Sequence, residues 1–268
     1  MSGPAKVLRK PDPKGGVPCE SNLRIRYRVR FGKVGLLRWI SHRDLATLWE
    51  RLARRVQLPL SMTEGFHPKP RIAFPSALAL GVESLDEVVE IELREVVPPE
   101  QLLQTLAADE QPGLLIQSVT RIPEGVRKAQ LMLSEYVITI PASADVAGAA
   151  IAIEELKKRT QVSFQRKDKT VTADLAEQVP VLEMRPARES ASLIGIDEGH
   201  EHDQRLHLSL HSVGGAALKP GDVLDLLGLS SWVPDGARTT RTKVLLSNEV
   251  ENDDPQWVAR TKHIDPVD

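Results

Sequence analysis

The chain has 268 residues, 41% hydrophobic and 27% charged, with a formal net charge of −2. That length accommodates one large domain or two small ones, and the apolar share suffices for a packed core. The lone cysteine, Cys19, excludes an intrachain disulfide and a zinc or iron–sulfur site built from cysteines of this chain, and the 4% aromatic content argues against a base-stacking sheet rich in Phe and Tyr. No apolar run approaches about 18 residues and no hydrophobic leader opens the chain, so a cytoplasmic protein without a cofactor of its own is expected.

Residues 1–22 are rich in Pro, Gly and Lys without periodicity and read as a flexible arm. A first structured unit spans 23–122. Leu23 to Phe31 alternates strictly and predicts a strand. Ser41 is an N-cap candidate with Asp44 three residues on, and Leu45, Leu48, Trp49 and Leu52 then recur at helical spacing, predicting an amphipathic helix over 42–56. Arg71–Phe74 reads as a short strand kept near an edge by its prolines, Glu87–Glu95 as a second clear strand, Pro98-Pro99 as a helix start and Leu114–Arg121 as a strand. The order β-α-β-β-α-β is that of a ferredoxin-like unit, with one face of its sheet under two helices and the other open.

A second unit, 132–246, reads as a degenerate copy with extra strands. Its strands are expected at Ser134–Ile140, Gln161–Gln165, Thr170–Leu175, Val179–Met184, Leu206–His211 and Arg238–Leu245, and its helices at Ala144–Arg159 and Val223–Leu227. The fold class is thus α+β, two ferredoxin-like units in tandem. Residues 186–204 read as an exposed loop and 247–268 as a polar C-terminal tail. His200 and His202 lie in that loop without a clear third ligand, so no metal site is expected.

Charge is concentrated near the amino end. Between Arg24 and Arg71 there are 12 Lys/Arg and 3 acidic residues, a local net of +9 in a chain whose total is −2. A focused cationic surface attracts anions, nucleic acid above all. Alternation places Arg24, Arg26, Arg28 and Arg30 on the face opposite Ile25, Tyr27, Val29 and Phe31. Two outcomes are open: a free guanidinium stripe suited to phosphates, or a ladder of cross-strand pairs with Glu90 and Glu92. At Ser41-His42-Arg43-Asp44 a helix N-terminus coincides with a His and an Arg, which can mark an anion site or simply a capped helix. Gly65-Phe66-His67-Pro68-Lys69-Pro70-Arg71 reads as a proline-stiffened loop, anchored by Phe66 in the core and presenting His67, Lys69 and Arg71. A smaller basic cluster comprises Lys157, Lys158, Arg159, Arg166, Lys167 and Lys169.

Three segments carry a resemblance. Arg38-Trp39-Ile40-Ser41-His42-Arg43-Asp44-Leu45, Glu64 to Ile72, and Leu80-Gly81-Val82-Glu83-Ser84 together resemble the radical SAM-linked protein family, a domain of unknown function. The resemblance implies a partner, a radical SAM enzyme with a cobalamin-binding region, more firmly than it implies a reaction. The expected function is an accessory module that recognises RNA or a ribonucleoprotein for that partner, through Arg24, Arg26, Arg28, Arg30, Arg38, Ser41, His42, Arg43, His67, Lys69 and Arg71. One alternative is a metal-independent RNA-processing enzyme using His42 or His67 as acid or base. Another is a pure protein-interaction domain.

Overall fold

The computed structural model describes residues 24–166, 169–187, 203–212 and 217–250. They form a mixed α+β structure around a mostly antiparallel sheet. In the amino-terminal half, β1 (Ile25–Lys33) lies between β3 (Glu83–Leu93) and β4 (Leu114–Arg121), antiparallel to both. The two-residue β2 (Ile72–Ala73) pairs with the far end of β3. Helices α1 (His42–Arg55) and α2 (Pro99–Ala107) cover the apolar face. The alternation of β1 dictates this arrangement: Tyr27, Val29 and Phe31 are fully buried in one cluster with Trp49, Leu52, Leu102 and Leu106. Trp49 meets Phe31 edge to face at 5.0 Å. The Tyr27 hydroxyl donates to Val97 O (2.7 Å) and accepts from Val97 N (2.8 Å), so its polar tip is satisfied inside the core.

The carboxy-terminal half repeats the strand arrangement. β5 (Leu131–Thr139) lies between β9 (Gln204–His211) and β10 (Thr239–Leu246), and β8 (Val181–Pro186) flanks β9, every pair antiparallel. α3 (Val146–Lys157) starts at an Asp145 N-cap that accepts from Gly148 N at 2.9 Å, and buries Ala149, Ile153 and Leu156. β6 (Gln161–Arg166) and β7 (Lys169–Asp174) form a hairpin, but in a two-stranded sheet of their own rather than in the main one. The short α4 (Leu175–Gln178) and α5 (Pro220–Leu226) complete the half, with Leu218, Val223 and Leu224 in its core. β10 also pairs parallel with the start of β3 through Thr240–Glu83 and Arg241–Ser84, joining both halves in one sheet of order β4-β1-β3-β10-β5-β9-β8.

Several boundaries differ from the sequence reading. β1 runs on to Lys33 and β3 begins at Glu83, four residues before the expected Glu87. The polar face of the amino-terminal half is not open: Val126 O, from the connection between β4 and β5, receives Arg26, and a terminal turn, α6 (Ser247–Val250), brings Glu249 onto Arg28 and Arg30. Residues 247–250 are thus docked, while the rest of the expected tail, most of the 186–204 loop with His200 and His202, and Lys167 lie outside the described residues.

Candidate functional site

The arginine stripe forms on one face as expected, but the ladder alternative prevails, and it recruits more carboxylates than cross-strand neighbours supply. Register sets Arg28 opposite Glu90 and Arg26 opposite Glu92. Arg28 pairs with Glu90 (2.8 Å) and Glu249 (3.0 Å); Arg30 with Asp86 (2.5 Å) and Glu249 (2.6 Å); Arg26 with Glu90 (3.7 Å). Glu92 turns instead to Arg71, at 3.8 Å. Three arginines thus face three carboxylates, Asp86, Glu90 and Glu249. Burial alone would lower the pKa of Arg30, but the attraction of Asp86 and Glu249 outweighs it and the net shift is upward. At the stripe's end, exposed Arg24 reaches Glu64 at 3.3 Å.

Two of the three segments that carry the family resemblance, Arg38–Leu45 and Leu80–Ser84, meet at the other end of β1. After β1 the chain makes a 3-10 turn, Gly35–Trp39. Buried Glu83 ties that turn to the start of β3: its Oε1 accepts from Gly35 N (3.1 Å) and from Arg38 Nη1 (3.0 Å), while its Oε2 has no partner among the described residues. Arg38 O accepts from Gly81 N at 2.8 Å. The Trp39 ring lies over Gly81, where an added Cβ would come within 3.2 Å of it, and Arg38 stacks on that ring at 5.1 Å. Leu36 and Trp39, three apart in a 3-10 turn, lie on one face, and Leu80 precedes the Gly81 that the Trp39 ring covers. All three are exposed: Leu36 at 85%, Leu80 at 63% and Trp39 at 58%. Large apolar side chains exposed on one turn and on the segment packed against it make a candidate contact site.

Ser41 caps α1: its Oγ accepts from Asp44 N (3.2 Å) and donates to Asp44 Oδ2 (2.7 Å). His42 is exposed and sets its ring against the edge of Phe74, 5.2 Å away. Arg43 is exposed without a side-chain partner among the described residues.

The loop 61–71 is a tight hairpin. Thr63 N donates to Lys69 O (2.8 Å), Lys69 N to Thr63 Oγ1 (2.9 Å) and Arg71 N to Ser61 O (2.9 Å). Phe66 does not anchor it. The hairpin's own hydrogen bonds hold it, and Phe66 stands at its tip, 102% exposed. His67 and Lys69 are exposed beside Phe66, without side-chain partners among the described residues, whereas Arg71 donates to Met62 O at 3.1 Å. No contact joins His42 to His67 among the described residues.

Of the sequence-proposed site residues, then, Arg43, His67 and Lys69 are free cations or bases among the described residues, while Arg24, Arg26, Arg28, Arg30, Arg38 and Arg71 have carboxylate partners. The smaller basic cluster is also largely answered: Lys157 pairs with Glu154, Lys158 with Glu155 and Arg166 with Asp222.

Sequence reasoning missed a buried ionic cluster where the halves meet. Arg241, 3% exposed, donates to Glu87 Oε1 (3.0 Å), Ser76 Oγ (2.8 Å), Ala77 O (3.2 Å) and Tyr136 Oη (3.2 Å). Burial pushes the Glu87 carboxyl up against the opposing pull of Arg241. Buried Lys33, donating to Ile40 O at 3.2 Å, is pushed down by its desolvation despite Glu87. The available signal was a run of charges, Glu83 to Glu90, interrupting a strand at its joining end.

Structure and surface together define a small α+β protein with a compensated arginine face and an exposed aromatic–aliphatic patch. A family model described as "Uncharacterized protein conserved in bacteria (DUF2344)" matches residues 26–212, and the chain belongs to that family. No curated protein matches it.

Proposed function

We propose that the chain is a docking module for another protein rather than a self-sufficient enzyme, built from two ferredoxin-like units. The unit reading is supported by strand order. Taken in chain order within each half, the main-sheet strands run fourth-first-third-second, the split βαβ pattern, with the β6–β7 hairpin inserted in the second copy.

The observation that carries the docking reading is the exposure of Leu36, Trp39 and Leu80 about the contact of Trp39 with Gly81. Tryptophan is among the commonest interface anchors, and exposed Arg43 follows Trp39 by four residues, so a partner surface with an apolar centre and an acidic rim fits it. Two of the three segments that resemble the radical SAM-linked family, Arg38–Leu45 and Leu80–Ser84, build this patch. That supports a radical SAM enzyme with a cobalamin-binding region as the occupant. Co-purification with such an enzyme from the same genome, followed by titration calorimetry, tests it. Trp39→Ala with Leu36→Ser should weaken the complex by about 30-fold or more, a hot-spot loss of at least ~2 kcal/mol. Equal affinity of the double variant, or no complex with the enzyme, would overturn the reading.

A second reading has its own observation: Phe66 stands wholly exposed on a hairpin tip beside unpaired His67 and Lys69. An aromatic flanked by cations suits one unstacked base and its phosphates, so RNA binding by this hairpin rather than by the arginine stripe is the form that reading takes. Phe66→Ala should then lower affinity for single-stranded RNA about tenfold, with a salt slope of one or two phosphate contacts. Nothing in the geometry favours RNA cleavage by His42 or His67.

A further inference from the structure

A cavity of about 540 Å³ opens between the loop 75–82 and the carboxy-terminal half. It is the size of a small-molecule site. Its walls are apolar, with Leu78, Leu131, Leu210 and Leu218 among them. Its polar side chains are basic or neutral: Arg241, Lys219 and His211 are bases, Ser76, Ser134, Tyr136 and Ser212 carry hydroxyls, and Gln130 is an amide. No carboxylate lines it among the described residues.

The charge behind the walls leaves this bias standing. Glu87 answers Arg241, and Arg166 answers Asp222, whose Oδ2 also receives Lys219 N at 2.7 Å. The Lys219 ammonium pairs with no carboxylate among the described residues, and Lys33 lies buried beside the Glu87–Arg241 pair. Four of the five guanidinium N–H groups of Arg241 are taken, by Glu87, Ser76, Ala77 and Tyr136, which leaves one. The Tyr136 and Ser76 hydroxyls accept from Arg241 and so keep their own protons to donate elsewhere. His211 Nδ1 lies 2.9 Å from Glu177 O, a contact that fixes the proton there. Rigid donors around an acid-free, apolar-walled cavity are what an organic anion needs, since its head is satisfied while its body leaves water.

We propose that this cavity binds a small amphipathic carboxylic acid, its carboxylate held by Arg241, Tyr136, Ser76 and Lys219 and its apolar body laid against Leu78, Leu131, Leu210 and Leu218. The proposal does not rest on the docking reading, although Leu80 belongs to the loop 75–82 that forms one wall of the cavity.

Titration calorimetry of the full chain with octanoate, octanol and octylamine tests the proposal. Octanoate should bind saturably at one site, at least about tenfold more tightly than octanol, and octylamine should not bind. Substitution of Arg241 would strand Glu87 in the interior, so two other variants locate the site. Ala217 also lines the cavity, so Ala217→Trp fills it and should abolish octanoate binding. Exposed Lys219→Glu adds a like charge and should weaken it about tenfold or more. Both should keep the native circular dichroism spectrum. Octanol binding as well as octanoate, no saturable heat with octanoate, or either folded variant binding octanoate like the native chain would overturn the proposal.

Discussion

Glu249→Gln removes one negative charge from the three-against-three balance on the arginine face. Glu249 Oε1 meets Arg28 Nη1 at 3.0 Å and Arg30 Nη2 at 2.6 Å, and Oε2 accepts from Leu246 N at 3.1 Å. Glutamine keeps one acceptor oxygen but no charge. Breaking a buried ion pair outright costs about 3–5 kcal/mol. Here each arginine retains a second carboxylate, Glu90 for Arg28 and Asp86 for Arg30. The expected loss is therefore smaller, about 2 kcal/mol, the range of a charge-assisted hydrogen bond. For a chain of this size that corresponds to a fall in Tm of about 4–8 °C. Urea and thermal melts measure it, with Glu155→Gln as the control, since the Lys158–Glu155 pair lies in solvent and should leave the melt unchanged. The same variant gives the face a net positive charge and should raise non-specific RNA retention at low salt. A Glu249→Gln melt indistinguishable from that of Glu155→Gln would refute the idea that the terminal turn holds this face through charge.

Three further outcomes are expected. Gly113→Ala should destabilise the protein by more than about 1 kcal/mol in a urea melt, because φ is +80° there and the new Cβ would sit 2.4 Å from Val34 O. Asp145→Ala should cost about 1 kcal/mol through loss of the α3 cap, with Asp145→Asn restoring most of it. His207 is pushed down to about 4 by burial and by Arg185, against Glu183. Between about 4 and its ordinary 6.5 the unfolded chain binds a proton that the folded chain does not, so the His207 contribution is complete above that window and is lost as pH falls through it. Glu87, pushed up, contributes the opposite slope above its ordinary carboxylate range. The measurement is therefore the difference in stability between native protein and His207→Gln across pH 4–6.5, which should shrink or reverse as the pH is lowered.

Local physics made much of the fold legible. The alternation of β1, the Ser41 cap and the helical stripe Leu45–Trp49–Leu52 each answer to neighbours a few residues away, and each appears where sequence places it. Pairing of Arg28 with Glu90 was readable as an alternative because it follows from strand register. Its completion by Glu249 was not, because the partners are 221 and 219 residues apart in the chain and no periodicity encodes that meeting. The β6–β7 hairpin has the right local pattern, but pattern does not say which sheet a hairpin joins. Phe66 misled for a related reason. Apolar character predicts burial on average, while the hairpin's own hydrogen bonds already fix its shape and leave the ring no core to enter. The exposed apolar residues escaped because no local pattern marks them: Leu36 is carried on the 3-10 turn, and Leu80 lies in the turn before β3.

The seating of β10 between β3 and β5 has a consequence for synthesis. A nascent chain ending at residue 238 carries both neighbouring rows of backbone amides without the ribbon that bridges them. Arg241 is then still to come, so Glu87 and Lys33 must wait in a half-built interior. The middle of the sheet therefore closes only once β10, which follows every other main-sheet strand in chain order, has been made.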